Sequence, residues 1–169
     1  GTQGLGLAES LPGHRFYVYG SSIEPPHDVP LALTHVISHE MGHCLGLYHT
    51  HKPNDMGASG CHELVNQSNC NSCGDYVCDT PADPGIFFNV NDDCEWTGSG
   101  TDANNQPYDP DEKNIMAYTW ESCMEYFEEG QGERMRQIIS LSQVLQDCLV
   151  EPDFTDHTIQ TTTVWNPSN

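Results

Sequence analysis

SHEMGHCLGLYHTH, Ser38 to His51, places four histidines and a glutamate close together in one short run. On an α-helix, residues four apart share a face with Cβ atoms about 6 Å apart, so His39 and His43 point the same way. Two imidazoles so placed can share one metal ion about 2 Å from each nitrogen. Glu40 sits about 100° further round the helix, where its carboxylate flanks the ion instead of sealing it. Gly46 lets the chain leave the helix axis, and His49 returns three residues later as a third ligand. The full H-E-x-x-H-x-x-G-x-x-H string is far more specific than its first five residues. It predicts a zinc site with His39, His43 and His49 as ligands and Glu40 as general base toward a zinc-activated water. Ordinary helix histidines would leave Glu40, Gly46 and His49 in register by accident.

The flanks agree with a helix. From Leu31 to Leu47 apolar residues recur at helical spacing through Leu33, Val36 and Ile37, then Met41, Cys44 and Leu45. Pro30 suits a first turn, and Gly46 suits the left-handed end. Upstream, HRFYVYG (His14 to Gly20) reads as a strand. Residues 1–13 read as irregular, with a short extended piece near Leu5 to Ala8, and SSIEPPHDVP as a loop. Residues 52–113 hold most of the Cys, Asn, Asp and Gly and show no sustained period. So long a segment needs cross-links or a bound ion to organise it. The helical period returns between Gly130 and Leu149 through Met135, Ile138, Ile139 and Leu145. After Pro152 the chain is polar and Thr-rich. The expected division is one domain over 1–150, with a tail or linker over 151–169.

Composition narrows the classes. The chain has 169 residues, one domain by length, and a net charge of −20 with five Lys plus Arg. That balance argues against nucleic-acid and anionic-membrane partners, and suits calcium or basic substrates. No apolar run approaches the roughly 20 residues of a membrane span. Of eight cysteines, seven (Cys61, Cys70, Cys73, Cys78, Cys94, Cys123, Cys148) lie mostly in loop-like sequence and read as a disulfide framework in a secreted protein. The rival reading, a zinc knuckle at CNSC (Cys70 to Cys73), lacks its second CxxC pair. Cys44, inside the apolar run CLGL, reads as a small buried hydrophobe. An exported chain needs a signal segment, already removed or outside this sequence.

The other histidines have ordinary readings. His35 lies one turn before His39 and is expected as a neighbour of the site, not a ligand. His51 is expected exposed or packed in a loop. His14, His27, His62 and His157 have no spacing partner and are expected at the surface.

The zinc string resembles that of the metzincin metallopeptidases. NIMAY, Asn114 to Tyr118, resembles the clan's Met-turn, with Met116 as the turn methionine. GDYVCDTP, Gly74 to Pro81, resembles the G-D-x-V-x-D-T-P segment of the pappalysin family; Thr50 after the third histidine is the position that helps separate metzincin families. The resemblance implies an α+β metzincin-like catalytic domain: a zinc-binding active-site helix, a Met-turn, a long disulfide-linked irregular segment and a C-terminal helix. It also implies Tyr118 as a hydroxyl donor near the reacting carbonyl, a Cys94–Cys123 disulfide, and calcium at Asp75, Val77 and Thr80. Cys61 would then pair with Cys73 or with Cys78. An edge strand upstream of the zinc helix, here Leu5 to Ala8, would pair with extended substrate. The family's N-terminal sheet needs more than the 38 residues before His39, so the sheet is expected to be incomplete and further parts of one precursor to exist. Relatives that favour a basic residue after the scissile bond carry an Asp before the Cys that follows the Met-turn. Here Ser122 stands there, preceded by Glu121, so a basic preference rests on Glu121 or on the overall negative field.

The function so implied is a secreted zinc endopeptidase acting on proteins or peptides, with calcium as a second ion. The alternatives are an inactive metzincin-like binding module, or a structural piece whose zinc has a fourth protein ligand such as His51 or Cys44.

Overall fold

The structure, a computed structural model, describes residues 6–18, 29–54 and 60–149. Its elements in chain order are β1 (Gly6–Ala8), β2 (Phe16–Val18), α1 (Val29–Cys44), α2 (Glu129–Leu141) and α3 (Gln143–Gln146). The readings of Leu5, of Tyr19 to His27 and of the tail beyond Leu149 lie outside the described residues.

The aromatic and β-branched run Phe16–Val18 pairs antiparallel with β1, in the register Gly6 to Val18 and Ala8 to Phe16. The hairpin docks on α1 through its loop, where the Gly13 N–H donates to the Cys44 carbonyl at 3.0 Å. Cys44 itself is 3 % exposed with its thiol on the Arg15 carbonyl, in keeping with its apolar setting.

Helix α1 ends in a Schellman turn. Gly46 takes φ +91°, its N–H reaches the His43 carbonyl, and the Leu47 N–H reaches the Gly42 carbonyl. Gly46 is required twice here, because a Cβ would also stand 2.8 Å from the Ile138 side chain of α2. Arg134 closes the joint by donating from Nε to the Gly46 carbonyl at 2.8 Å. The periodic run between 130 and 149 is broken at Ser142, whose extended backbone separates α2 from α3.

Between the helices, chain order comes from cross-links and short polar turns. Disulfides join Cys61 to Cys73, Cys70 to Cys78 and Cys94 to Cys123. Both CNSC cysteines are therefore committed to sulfur, which removes the zinc-knuckle reading. Cys148 departs from the expected framework: it is a free, exposed thiol. Asn and Asp side chains replace ladder partners, as where Asp102 accepts from the backbone N–H of Val65, Asn104 and Gln106. The Cys94–Cys123 bridge abuts a small core of Ile86, Val90 and Ala117. Among the described residues no helix is long and apolar enough to cross a membrane.

Candidate active site

The three motif imidazoles converge. Nε2 of His49 lies 3.1 Å from Nε2 of His39 and 2.9 Å from Nε2 of His43. Two of these rings have their tautomer assigned by what holds them. His39 Nδ1 faces the Ile115 carbonyl at 2.6 Å and His43 Nδ1 faces the Leu47 carbonyl at 2.8 Å. A carbonyl can only accept, so each Nδ1 carries the proton and each Nε2 presents a lone pair. Lone pairs brought this close repel unless a cation lies between them. Three nitrogens about 2.0–2.1 Å from one tetrahedral ion stand about 3.3 Å apart, so the two spacings to His49 are close to those of a three-histidine metal cradle. Burial, then the neighbouring His49 and His43, hold His39 down to about 3, and it stays a neutral ligand at any ordinary pH. Among the described residues these three are the group of His, Cys, Asp or Glu side chains close enough to share one ion, and neither His51 nor Cys44 joins it.

The Met-turn positions this cradle. Met116 is fully buried, and a Cβ on Gly42 would stand 2.5 Å from its Sδ. Gly42 thus lets the methionine lie directly against α1, one residue before His43. The Met116 N–H donates to Asn114 Oδ1, and the Met116 carbonyl accepts from Thr50 N–H at 3.2 Å, which ties the turn to the residue after His49. Asn114 and Gln131, both fully buried, exchange side-chain amide bonds at 2.9 and 3.1 Å. Gln131 Oε1 also accepts the Glu128 N–H, so the start of α2 and the Met-turn share one polar clasp.

Glu40 is 6 % exposed and lies under β1. The Ala8 N–H bonds its carboxylate, while burial, the larger effect, lifts its carboxyl to about 7. Gly6 is the closest cover: a Cβ there would stand 2.5 Å from Glu40 Oε1. A cleft of about 630 Å³ opens over the site, lined by Gly6 and Ala8, by Glu40 and the three histidines, and by Phe87 and Tyr118. The Tyr118 ring centroid is 4.4 Å from that of His49, and the residue is 41 % exposed.

Other expected residues fall elsewhere. His35 bonds the Glu121 carbonyl through Nδ1 and stays outside the cradle. Glu121 and Ser122 are not among the residues lining the cleft. His51, expected exposed or loop-packed, is 5 % exposed and stacks on His49 at 4.9 Å, a packing role that spacing alone does not reveal. Thr50 donates to Asp83 Oδ2 at 2.6 Å, and Asp83 Oδ1 accepts the Gly85 N–H. No motif signals Asp83, Phe87 or Gly6; their distance in sequence from the helix hides them.

A second polar cluster gathers Asp75, Val77 and Thr80, all buried. Asp75 Oδ1 accepts the Val77 N–H at 3.0 Å, and Thr80 Oγ1 lies 3.1 Å from both Asp75 oxygens and 2.7 Å from the Val77 carbonyl. One hydroxyl proton cannot serve all of these oxygens at once. Glu63, 4 % exposed, packs against Gly74, and neither of its carboxylate oxygens has a hydrogen-bond partner. Burial lifts Glu63 to about 8, with Asp75 adding to it, and lifts Asp75 to about 7. Sequence gives no sign of Glu63, which lies in a Cys-rich turn without period.

Residues 20–140 match the peptidase family M43, described as pregnancy-associated plasma protein-A. The chain is 34 % identical over 121 residues to extracellular metalloprotease 1 of Coccidioides posadasii, covering 70 % of this chain and 35 % of that protein. It is 35 % identical over 103 residues to an extracellular metalloprotease of Neurospora crassa, covering 61 % of this chain and 29 % of that one. It thus spans about a third of the length of the curated relatives it matches. Among solved structures, mature mirolysin of Tannerella forsythia in complex with a cleaved peptide aligns at a TM-score of 0.49 with 25 % identity, covering 87 % of this chain and 52 % of that one.

Proposed function

This chain belongs to the pregnancy-associated plasma protein-A, or pappalysin, family of peptidases, and on that premise we propose that it is a secreted zinc-dependent endopeptidase with Glu40 as its general base. One observation carries the proposal: three imidazoles converge at one point in the cleft, two of them with their protons committed elsewhere, beside a buried carboxylate. The donor set fits zinc better than calcium or magnesium, which prefer oxygen.

When bound by His39, His43 and His49, zinc would supply Lewis acidity that activates water and polarises a peptide carbonyl. Glu40 takes the proton from the attacking water and passes it to the leaving amine. A carboxyl held near neutrality by burial is suited to both transfers. The Ala8 N–H keeps that carboxylate aimed at the cleft. Tyr118 reaches over His49 and donates its hydroxyl hydrogen bond to the oxyanion. The outer edge of β1 pairs with extended substrate, since Gly6, Leu7 and Ala8 line the cleft beside Glu40. The substrate is a protein or peptide. Residues 1–150 form the peptidase unit and 151–169 its tail or linker.

Calcium is proposed at Asp75, Val77 and Thr80, with Glu63 as an additional ligand. The support is an oxygen-rich, buried cluster in which neither Glu63 carboxylate oxygen has a hydrogen-bond partner and one Thr80 hydroxyl faces three oxygens.

The test is cleavage of a denatured protein by zinc-loaded wild type and by Glu40→Gln, with new termini read by mass spectrometry and zinc content measured in both. The expected result is a loss of about 10²–10⁴-fold in turnover with one zinc retained. Near-normal turnover in Glu40→Gln would refute the mechanism.

A further inference from the structure

Phe87, in the lining of the cleft, belongs to a tight turn, Ile86 to Asn89, closed by the Asn89 N–H on the Ile86 carbonyl at 2.8 Å. Its third position is the one where a left-handed backbone normally selects glycine. Phe88 occupies it at φ +71° and is 81 % exposed. An aromatic residue held in an unfavourable conformation while displayed to solvent is the opposite of what stability and solubility favour. Phe87 beside it is 46 % exposed and lines the cleft. Ring centroids step from Phe88 to Phe87 at 4.1 Å, from Phe87 to Tyr118 at 5.9 Å, and from Tyr118 to His49 at 4.4 Å. An aromatic shelf therefore runs without a break from the surface to the metal cradle.

The shelf is rigid at both ends. Ile86 and Val90 are buried in the core beside the Cys94–Cys123 bridge, and Trp120 donates from Nε1 to the Val90 carbonyl at 2.9 Å. Upstream, Asp83 holds the Gly85 N–H. In a chain of net charge −20, Gly85 to Val90 carries no charged residue. A basic substrate residue would find no carboxylate along Gly85 to Val90, whereas an apolar one would find pre-positioned ring faces.

We infer that Phe87 and Phe88 are specificity-determining residues that bind a bulky apolar or aromatic side chain of the substrate next to the scissile bond. This rests on the peptidase reading of the same cleft. The occupant is chosen by continuity: the ring that borders the cradle, Tyr118, is the one on which Phe87 packs. Gly6 to Ala8 of β1 line the same cleft as Phe87 and Tyr118, so a substrate held by β1 lies in the cleft that the shelf enters.

The test pairs two readouts. Cleavage sites of zinc-loaded protein in a denatured digest are mapped, and peptides differing only by Phe or Ala at each flanking position are compared as substrates. The same peptides are then titrated by calorimetry into zinc-loaded Glu40→Gln, which reports binding without turnover. Expected are mapped sites enriched in Phe, Tyr, Trp, Leu or Met at one flanking position, and an approximately tenfold preference for Phe over Ala in both readouts. Phe87→Ala and Phe88→Gly should each bring that ratio below about threefold. Phe88→Gly should do so without lowering Tm, since glycine suits the turn, which separates the effect from misfolding. A ratio near one in wild type, a ratio unchanged in both variants, or no binding of either peptide would overturn the inference. Cleavage without preference would overturn it and leave the peptidase reading intact. Preferential binding without cleavage would do the reverse.

Discussion

At Gly6 a methyl group in place of hydrogen would stand 2.5 Å from Oε1 of Glu40 and 2.6 Å from its Cγ. The Glu40 side chain is the flexible party in that collision, so it is the carboxylate that must move, and with it the bond from the Ala8 N–H. Gly6→Ala should therefore lower kcat by about tenfold or more while leaving zinc content and Tm close to wild type, because a misplacement of 1 Å at a reacting group costs far more in rate than in stability. Steady-state kinetics with zinc analysis checks this; an unchanged kcat would mean that β1 does not constrain the base. Gly42 is the contrasting case. Its Cβ would meet Met116 Sδ at 2.5 Å and Leu47 Cδ1 at 3.4 Å, both in the buried layer under the cradle. Gly42→Ala gains helix propensity but overpacks that layer, and a net destabilisation of about 1–3 kcal/mol is expected in denaturant unfolding.

Among the elements, α1 carries its own instructions. Its ligand spacing, its closing glycine and its apolar stripe all lie within one short run, and local sequence suffices to place them. The Asn114–Gln131 clasp shows what is not local. The Met-turn is legible as NIMAY, but its partner is an amide at the start of a helix whose first turns contain Gly130 and Gly132 and so give a weak helical signal. The break at Ser142 leaves the apolar period nearly in phase, which is why residues 130–149 read as one helix. Two parts of the cleft lining, β1 and Phe87, come from segments about 80 residues apart with no motif in either. The irregular segment bearing Phe87 depends on the Cys94–Cys123 bridge, which spans 29 residues. Replacing both cysteines by serine should cost about 3–4 kcal/mol by chain entropy alone, and Trp120, close to that bridge, offers a fluorescence probe of the unfolding. A loss below about 1 kcal/mol would mean that turns such as those at Asn91 and Asp102 hold this segment unaided.

For the whole molecule, a net charge of −20 with carboxylates buried at Glu63 and Asp75 sets a condition on stability. The unfolded chain releases these protons at about pH 4, while the folded chain holds them up to about 7 at Asp75 and about 8 at Glu63. Between those limits the folded state binds more protons. In chelator the stability these groups contribute is thus complete at low pH and is lost as pH rises through about 7 to 8. Calcium at this cluster favours the ionised form, so millimolar calcium should raise Tm most at the alkaline end and release protons on binding. A calcium effect independent of pH, or none, would remove the proposed site.

Peptidase activity here requires a metal with three histidine ligands and one open position. Zinc K-edge absorption fine structure on the zinc-loaded protein tests that directly. It should show three imidazole nitrogens at about 2.0–2.1 Å with one oxygen and no sulfur. A fourth imidazole, which would implicate His51, or a sulfur at about 2.3 Å, which would implicate Cys44, would make the site a closed structural centre and contradict the peptidase.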